Sequence, residues 1–161
     1  MTPFIVLLAS FLLFRGLLSR FAPAFRSHVT SLRWALAVMF LLTASAHFGG
    51  RRADLVRMVP AIFPDPALLV TLTGLAEILG AIGLVIPRVA PWAAGGLALL
   101  LLAMFPANVH AARAGLEIGG APVTPLVPRT ALQVVFLAAV LWAGFSPRRG
   151  AKAPAEAARR A

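Results

Sequence analysis

Residues 67–86 read ALLVTLTGLAEILGAIGLVI, with Pro66 before them and Pro87 after. Twenty residues at about 1.5 Å rise each make a helix of about 30 Å, the thickness of a bilayer's hydrocarbon core. The run carries one ionisable side chain, Glu77, close to its middle. A charge at that depth costs at least about 2.5–3.5 kcal/mol on insertion scales, so Glu77 is expected to face a bundle interior or a wet cavity. Its helical neighbours Thr73, Gly74, Gly80 and Ala81 are small, which lets another helix come close on that face.

Working outward, four further apolar runs approach spanning length: about 3–19, 32–48, 89–110 and 130–145. Proline or glycine punctuates the junctions at Pro23, Gly49–Gly50, Pro60, Pro64, Pro91, Pro125, Pro128 and Pro147. The fold expected is all-α: a polytopic membrane helix bundle with one membrane domain over 1–146. Residues 147–161, PRRGAKAPAEAARRA, are small and basic without an apolar stripe. They read as a disordered cytoplasmic tail that anchors topology or meets anionic lipid or an acidic partner.

Composition agrees. The chain is 60% hydrophobic and 12% charged, against about 45–50% and about 25% in soluble domains. It has no cysteine, which removes thiolate nucleophiles, disulfides and Cys-ligated metals. Neither a G-x-x-x-x-G-K nor a G-x-G-x-x-G string occurs. The net charge of +10 does not signal nucleic acid, because the basic residues flank apolar runs instead of lining one polar face.

The first run has no Lys or Arg before it and Arg15 and Arg20 after it, the reverse of a secretory signal, so it reads as a retained span. Loop charges set the orientation. Arg20, Arg26, Arg33, Arg88, Arg148, Arg149, Lys152, Arg159 and Arg160 fall on one side, and Arg51, Arg52, Arg57, Arg113 and Arg129 on the other. Nine against five predicts the N-terminus outside and the C-terminus in the cytoplasm.

That orientation gathers polar residues in the outer leaflet. His47 with Thr43, Asn108 with His110, and Gln133 come from three helices, while Glu77 and Thr73 approach from a fourth. Two readings are open for Glu77: a proton acceptor or ligand anchor, or an interhelical hydrogen-bonder. His47, Asn108, Thr43, Thr73, His110 and Gln133 are the companion candidates around one outward-opening pocket. Phe40, Leu101, Met104 and Phe105 are expected as walls. No metal is expected, since no two ligand-type residues share a helix at ligand spacing. In the connection GGRRADLVRMVPAIFPDP, residues 49–66, Leu55, Met58, Val59 and Ile62 recur at helical spacing. They predict a short amphipathic helix broken at Pro60, either lying on the outer surface or capping the pocket.

The order of local motifs resembles the DoxX-like family of small bacterial membrane proteins. It runs His47-Phe48 at a helix end, Met58-Val59-Pro60, Phe63-Pro64, Gly74-Leu75-Ala76-Glu77-Ile78, Leu84-Val85-Ile86-Pro87-Arg88 and Phe105-Pro106-Ala107-Asn108-Val109. The resemblance covers about Trp34 to Phe145 and implies a four-helix core with one extra N-terminal span. It also implies a bacterial plasma-membrane location, links to redox systems, and His47, Glu77 and Asn108 as the family's polar positions. The function expected is an accessory subunit of a membrane oxidoreductase that binds a lipophilic molecule such as a quinone or a lipid. Rival readings are an assembly or stability factor docking a partner on the Gly74–Gly80–Gly83 face, or a small-molecule or proton transporter; the partners expected are the bilayer, a membrane oxidoreductase and a second copy of the chain.

Overall fold

A computed structural model describes residues 1–146; the tail expected over 147–161 lies outside the described residues. Among the described residues, five helices are long and apolar enough to cross a membrane, which makes this a multi-pass membrane protein. They are α1 (Thr2–Leu12, continued by a π-turn over Leu13–Leu17 and a 3-10 turn over Leu18–Arg20), α2 (His28–Phe48), α4 (Pro66–Val85), α5 (Ala90–Arg113) and α6 (Leu126–Phe145). A short α3 (Arg52–Met58) lies between α2 and α4. Strands β1 (Glu117–Ile118) and β2 (Ala121–Pro122) pair antiparallel between α5 and α6.

The helix starts have local causes. The Ser27 hydroxyl accepts the Thr30 N–H of α2. The Asp65 carboxylate accepts the Leu68 N–H at 2.9 Å, and Pro66 opens α4 at the position where a missing N–H costs nothing. Helix α3 stops at Met58 because Val59 precedes Pro60 and is pushed into extended backbone, with ψ at 127°. At Pro106 the helix α5 continues, although the Leu102 carbonyl loses its ordinary donor there.

Packing follows the small residues. Helix α2 lies against α4, α5 against α6, and α4 against α5. The core gathers Leu36, Met39, Phe40, Leu84, Leu97 and Val140. Only 6% of the α1 span is buried against 44% of α2, so α1 is peripheral and rests on α2. Its end is fixed by an aromatic trio. Phe14 stacks on Phe25 at 5.1 Å, and Trp34 meets both rings at 6.2 and 6.0 Å.

The structure corrects the sequence expectation in four places. Helices α2 and α6 begin four residues earlier than the apolar runs suggest; this takes Arg129 from a loop into a helix, and puts Arg33, counted as a loop charge at the edge of its run, in the second turn of α2. Arg33 is buried, and its Nε donates to the Ala143 carbonyl at 2.8 Å. It thereby serves one of the last four carbonyls of α6, which lack intrahelical donors. The β-hairpin is an addition to an otherwise all-α fold. It turns on Gly119 and Gly120, whose φ angles of 62° and 75° suit a two-residue hairpin turn. Ile62 lies beyond the Pro60 break and is 85% exposed, not part of the α3 stripe. Finally, Gly74, Gly80 and Gly83 are covered by His47, Leu97 and Ala93 of this same chain, so that face is not open to a partner helix.

Candidate functional site

Gly74 determines how α2 and α4 meet. A Cβ there would sit 2.7 Å from the His47 Cβ, so its absence lets the imidazole lie directly on α4. His47 is buried. Its Nδ1 is 2.7 Å from the Val70 carbonyl oxygen, an acceptor only, so Nδ1 carries the proton and donates. The Thr73 hydroxyl donates to the Leu69 carbonyl at 2.8 Å and offers its oxygen to the same Nδ1–H at 3.3 Å. With the proton fixed on Nδ1, the other nitrogen, Nε2, is left as an acceptor. It stands 3.9 Å from Glu77 Oε2.

Glu77 points into the bundle and is buried. Its Oε2 is 2.8 Å from the Thr43 hydroxyl, which is also 3.0 Å from the Phe40 carbonyl. Thr43 with Glu77 and Thr73 with His47 therefore form two hydrogen-bonded pairs between α2 and α4, which face each other across the 3.9 Å gap from His47 Nε2 to Glu77 Oε2. Pairing of this kind is what burial of several polar groups in an apolar medium demands.

Beside these pairs lies a cavity of about 270 Å³ lined by His47, Val70, Thr73, Met104, Ala107 and Asn108, with α3 and its extension over it through Leu55, Met58, Val59 and Phe63. The short helix thus caps the pocket. Glu77 does not line the cavity; His47 stands between them. Of the walls expected from sequence, Met104 is in place, whereas Phe40, Leu101 and Phe105 are not. Phe40 shares the face of His47 but lies two turns deeper, about 10 Å, within the core.

The cap is tied on two sides. Arg52 donates to the His47 carbonyl at 2.9 Å, and to the Ala67 carbonyl and Thr71 hydroxyl at 3.0 and 2.9 Å. It so joins the end of α2 to the first turn of α4. Asp54 accepts the Gly119 N–H at 2.7 Å and pairs with Arg57, which fastens α3 to the hairpin. The Gly119 amide, and next the Arg57 guanidinium, hold the Asp54 carboxyl below its ordinary pKa.

The remaining candidates separate. Asn108 lines the cavity, and its Oδ1 accepts from Arg129 at 2.6 Å. That leaves its NH2 group as what it can present to a ligand. Gln133 is buried but donates to the Leu101 carbonyl at 2.6 Å, away from the cavity. His110 is exposed in the last turn of α5 and takes no part. Arg52 and Arg129 were not singled out by sequence. The one signal for them is position, just after Gly49–Gly50 and inside the first turn following Pro125.

Fold and site together define a membrane helix bundle with a capped, mostly apolar cavity and a buried His–Glu–Thr cluster. The chain belongs to a family described as a domain of unknown function, DUF8561, whose model matches residues 36–145. The match runs from within α2 to the last residue of α6 and leaves α1 outside it. No curated protein matches the chain significantly, and no solved structure does.

Proposed function

We propose that the protein binds the ring of a lipophilic small molecule, of the quinone class, in the cavity under α3, and serves as an accessory subunit of a membrane redox system. The observation that carries this reading is the cavity itself: apolar walls with three polar side chains, His47, Thr73 and Asn108, on its lining. Small-molecule sites are of this type, at roughly 300–1,000 Å³. About 270 Å³ suits a ring head group, with an isoprenoid tail left to the bilayer. Ala103 and Phe63 on the rim are exposed, so the tail has a lateral exit.

The chemistry follows from what each group has left to offer. The Asn108 NH2 donates to a ring carbonyl. The His47 Nε2 accepts from a ring hydroxyl, and Glu77 behind it is the next proton acceptor. Oxidation of a bound quinol to the quinone sends two electrons to a partner oxidoreductase in the plasma membrane and two protons, one after the other, to His47 Nε2 and on to Glu77. The DoxX-like resemblance supports the redox association, and the loop charges support a site near the outer face. The test is organic extraction of purified protein with mass spectrometry. A quinone in stoichiometric amount that is lost in Ala107→Trp, which fills the cavity, supports the reading. Phospholipid alone, unchanged by Ala107→Trp, overturns it.

A further inference from the structure

A second concavity lies at the opposite end of α2 and has no connection with the polar cluster. It is a groove of about 500 Å³ walled by Phe4, Leu7, Leu8 and Phe11 of α1, Leu32 of α2 and Trp142 of α6, with His28 at one end. Its walls are apolar throughout, apart from that histidine. Beside His28 stands Arg15, whose Nε donates to the imidazole Nδ1 at 3.4 Å. Arg15 is the middle residue of the π-turn Leu13–Leu17. Such turns insert one extra residue and commonly mark functional positions. Arg20 and Arg26 follow in the same connection, and no acidic residue occurs between Met1 and Asp54.

We infer that this groove holds one acyl chain of an anionic phospholipid, with the phosphate against Arg15 and His28. Three features select that occupant. The first is length. Phe4 and Arg15 are eleven residues apart, about 16 Å along a helix, which matches half of a hydrocarbon core of about 30 Å. A groove one leaflet deep fits a lipid chain and is too short for a spanning helix. The second is the boundary level: Trp142 is 66% exposed near the end of α6 where the groove meets His28, and tryptophan favours the headgroup region. The third is charge, since the polar end is basic and unopposed by any carboxylate in its own connection.

The experiment supplies the detergent-purified protein with equal amounts of phosphatidylglycerol and phosphatidylcholine of identical chains, and reads bound lipid by native mass spectrometry. One retained lipid is expected, with about fivefold preference for phosphatidylglycerol, the ratio that about 1 kcal/mol per basic residue near a membrane surface gives. Arg15→Gln should retain the lipid and lose the preference. Leu8→Trp, at a half-exposed position on the groove wall, should lose lipid of both classes. Leu99→Trp, on the outer face of α5, should lose none. Equal retention of the two lipids by the unaltered protein overturns the inference. So does lipid unchanged in Leu8→Trp, or a lipid-free dimer, which would put a second copy in the groove.

Discussion

The Nε2 atom of His47 stands 3.9 Å from Oε2 of Glu77, on neighbouring helices running in opposite directions. Because the Val70 carbonyl holds the proton on Nδ1, the nitrogen facing Glu77 is the one that can take a proton. Glu77→Gln keeps a hydrogen-bonding group beside Thr43, and the fold is expected to survive with detergent-solubilised melting within a few degrees of the parent. Proton-linked function should fall. Glu77→Lys places a cation among Gly74, Gly80 and Ala81 and is expected to impair insertion. Full cellular function in Glu77→Gln would leave Glu77 a purely structural hydrogen-bonder.

Gly74→Ala tests whether the close approach of α2 and α4 sets the site. The added methyl meets His47 Cβ at 2.7 Å and Phe48 Cε2 at 3.0 Å. Overpacking of this type costs about 1–3 kcal/mol. Lower thermal stability and weaker ligand retention are expected together. Gly50→Ala, where a Cβ meets nothing within 4 Å, should leave both intact.

The spans were legible in the sequence because twenty apolar residues have few other uses, and α3 was legible from Leu55, Met58 and Val59. The starts of α2 and α6 were not, since Arg33 and Arg129 look like loop charges until a carbonyl or amide from a distant helix is seen to receive them. Glu77 could be placed inside the bundle from the cost of its charge and its small neighbours. Whether it lined the cavity could not be read, because that depends on which ring lies between. His110 and Gln133 show the complementary error. Both share a leaflet with the site, yet side-chain direction sends one to the surface and the other to the Leu101 carbonyl.

Asp54 predicts an acid-sensitive cap. Its carboxyl is held below the ordinary value of 3.8 by the Gly119 amide and by Arg57. The latch to the hairpin is therefore fully present above about pH 3.8 and is lost as pH falls through the lower folded value. Protection factors against hydrogen exchange, corrected for the intrinsic pH dependence, should be high across Arg52–Met58 and at Gly119 at neutral pH and fall only below that point. Asp54→Asn should show low protection in both pH ranges. High protection in Asp54→Asn at neutral pH would mean the latch does not hold the cap.

Orientation is a separate prediction. Reporter fusions near Ala53 and at Ala161 are expected to give opposite signals, with the cytoplasm-active reporter working at Ala161. Counting Arg33 and Arg129 as helical takes one from each side of the charge count, so the bias toward a cytoplasmic C-terminus stands. A cytoplasmic signal at Ala53 would place the capped cavity at the inner face.

The most direct test of the cavity as a quinone-class site is photoaffinity labelling in membranes with an azido-quinone, followed by peptide mapping. The account predicts label on Met58, Phe63 and Met104, competed by unlabelled quinone and abolished in Ala107→Trp. Label spread over lipid-facing residues such as Leu79 and Leu102, without competition, would contradict it.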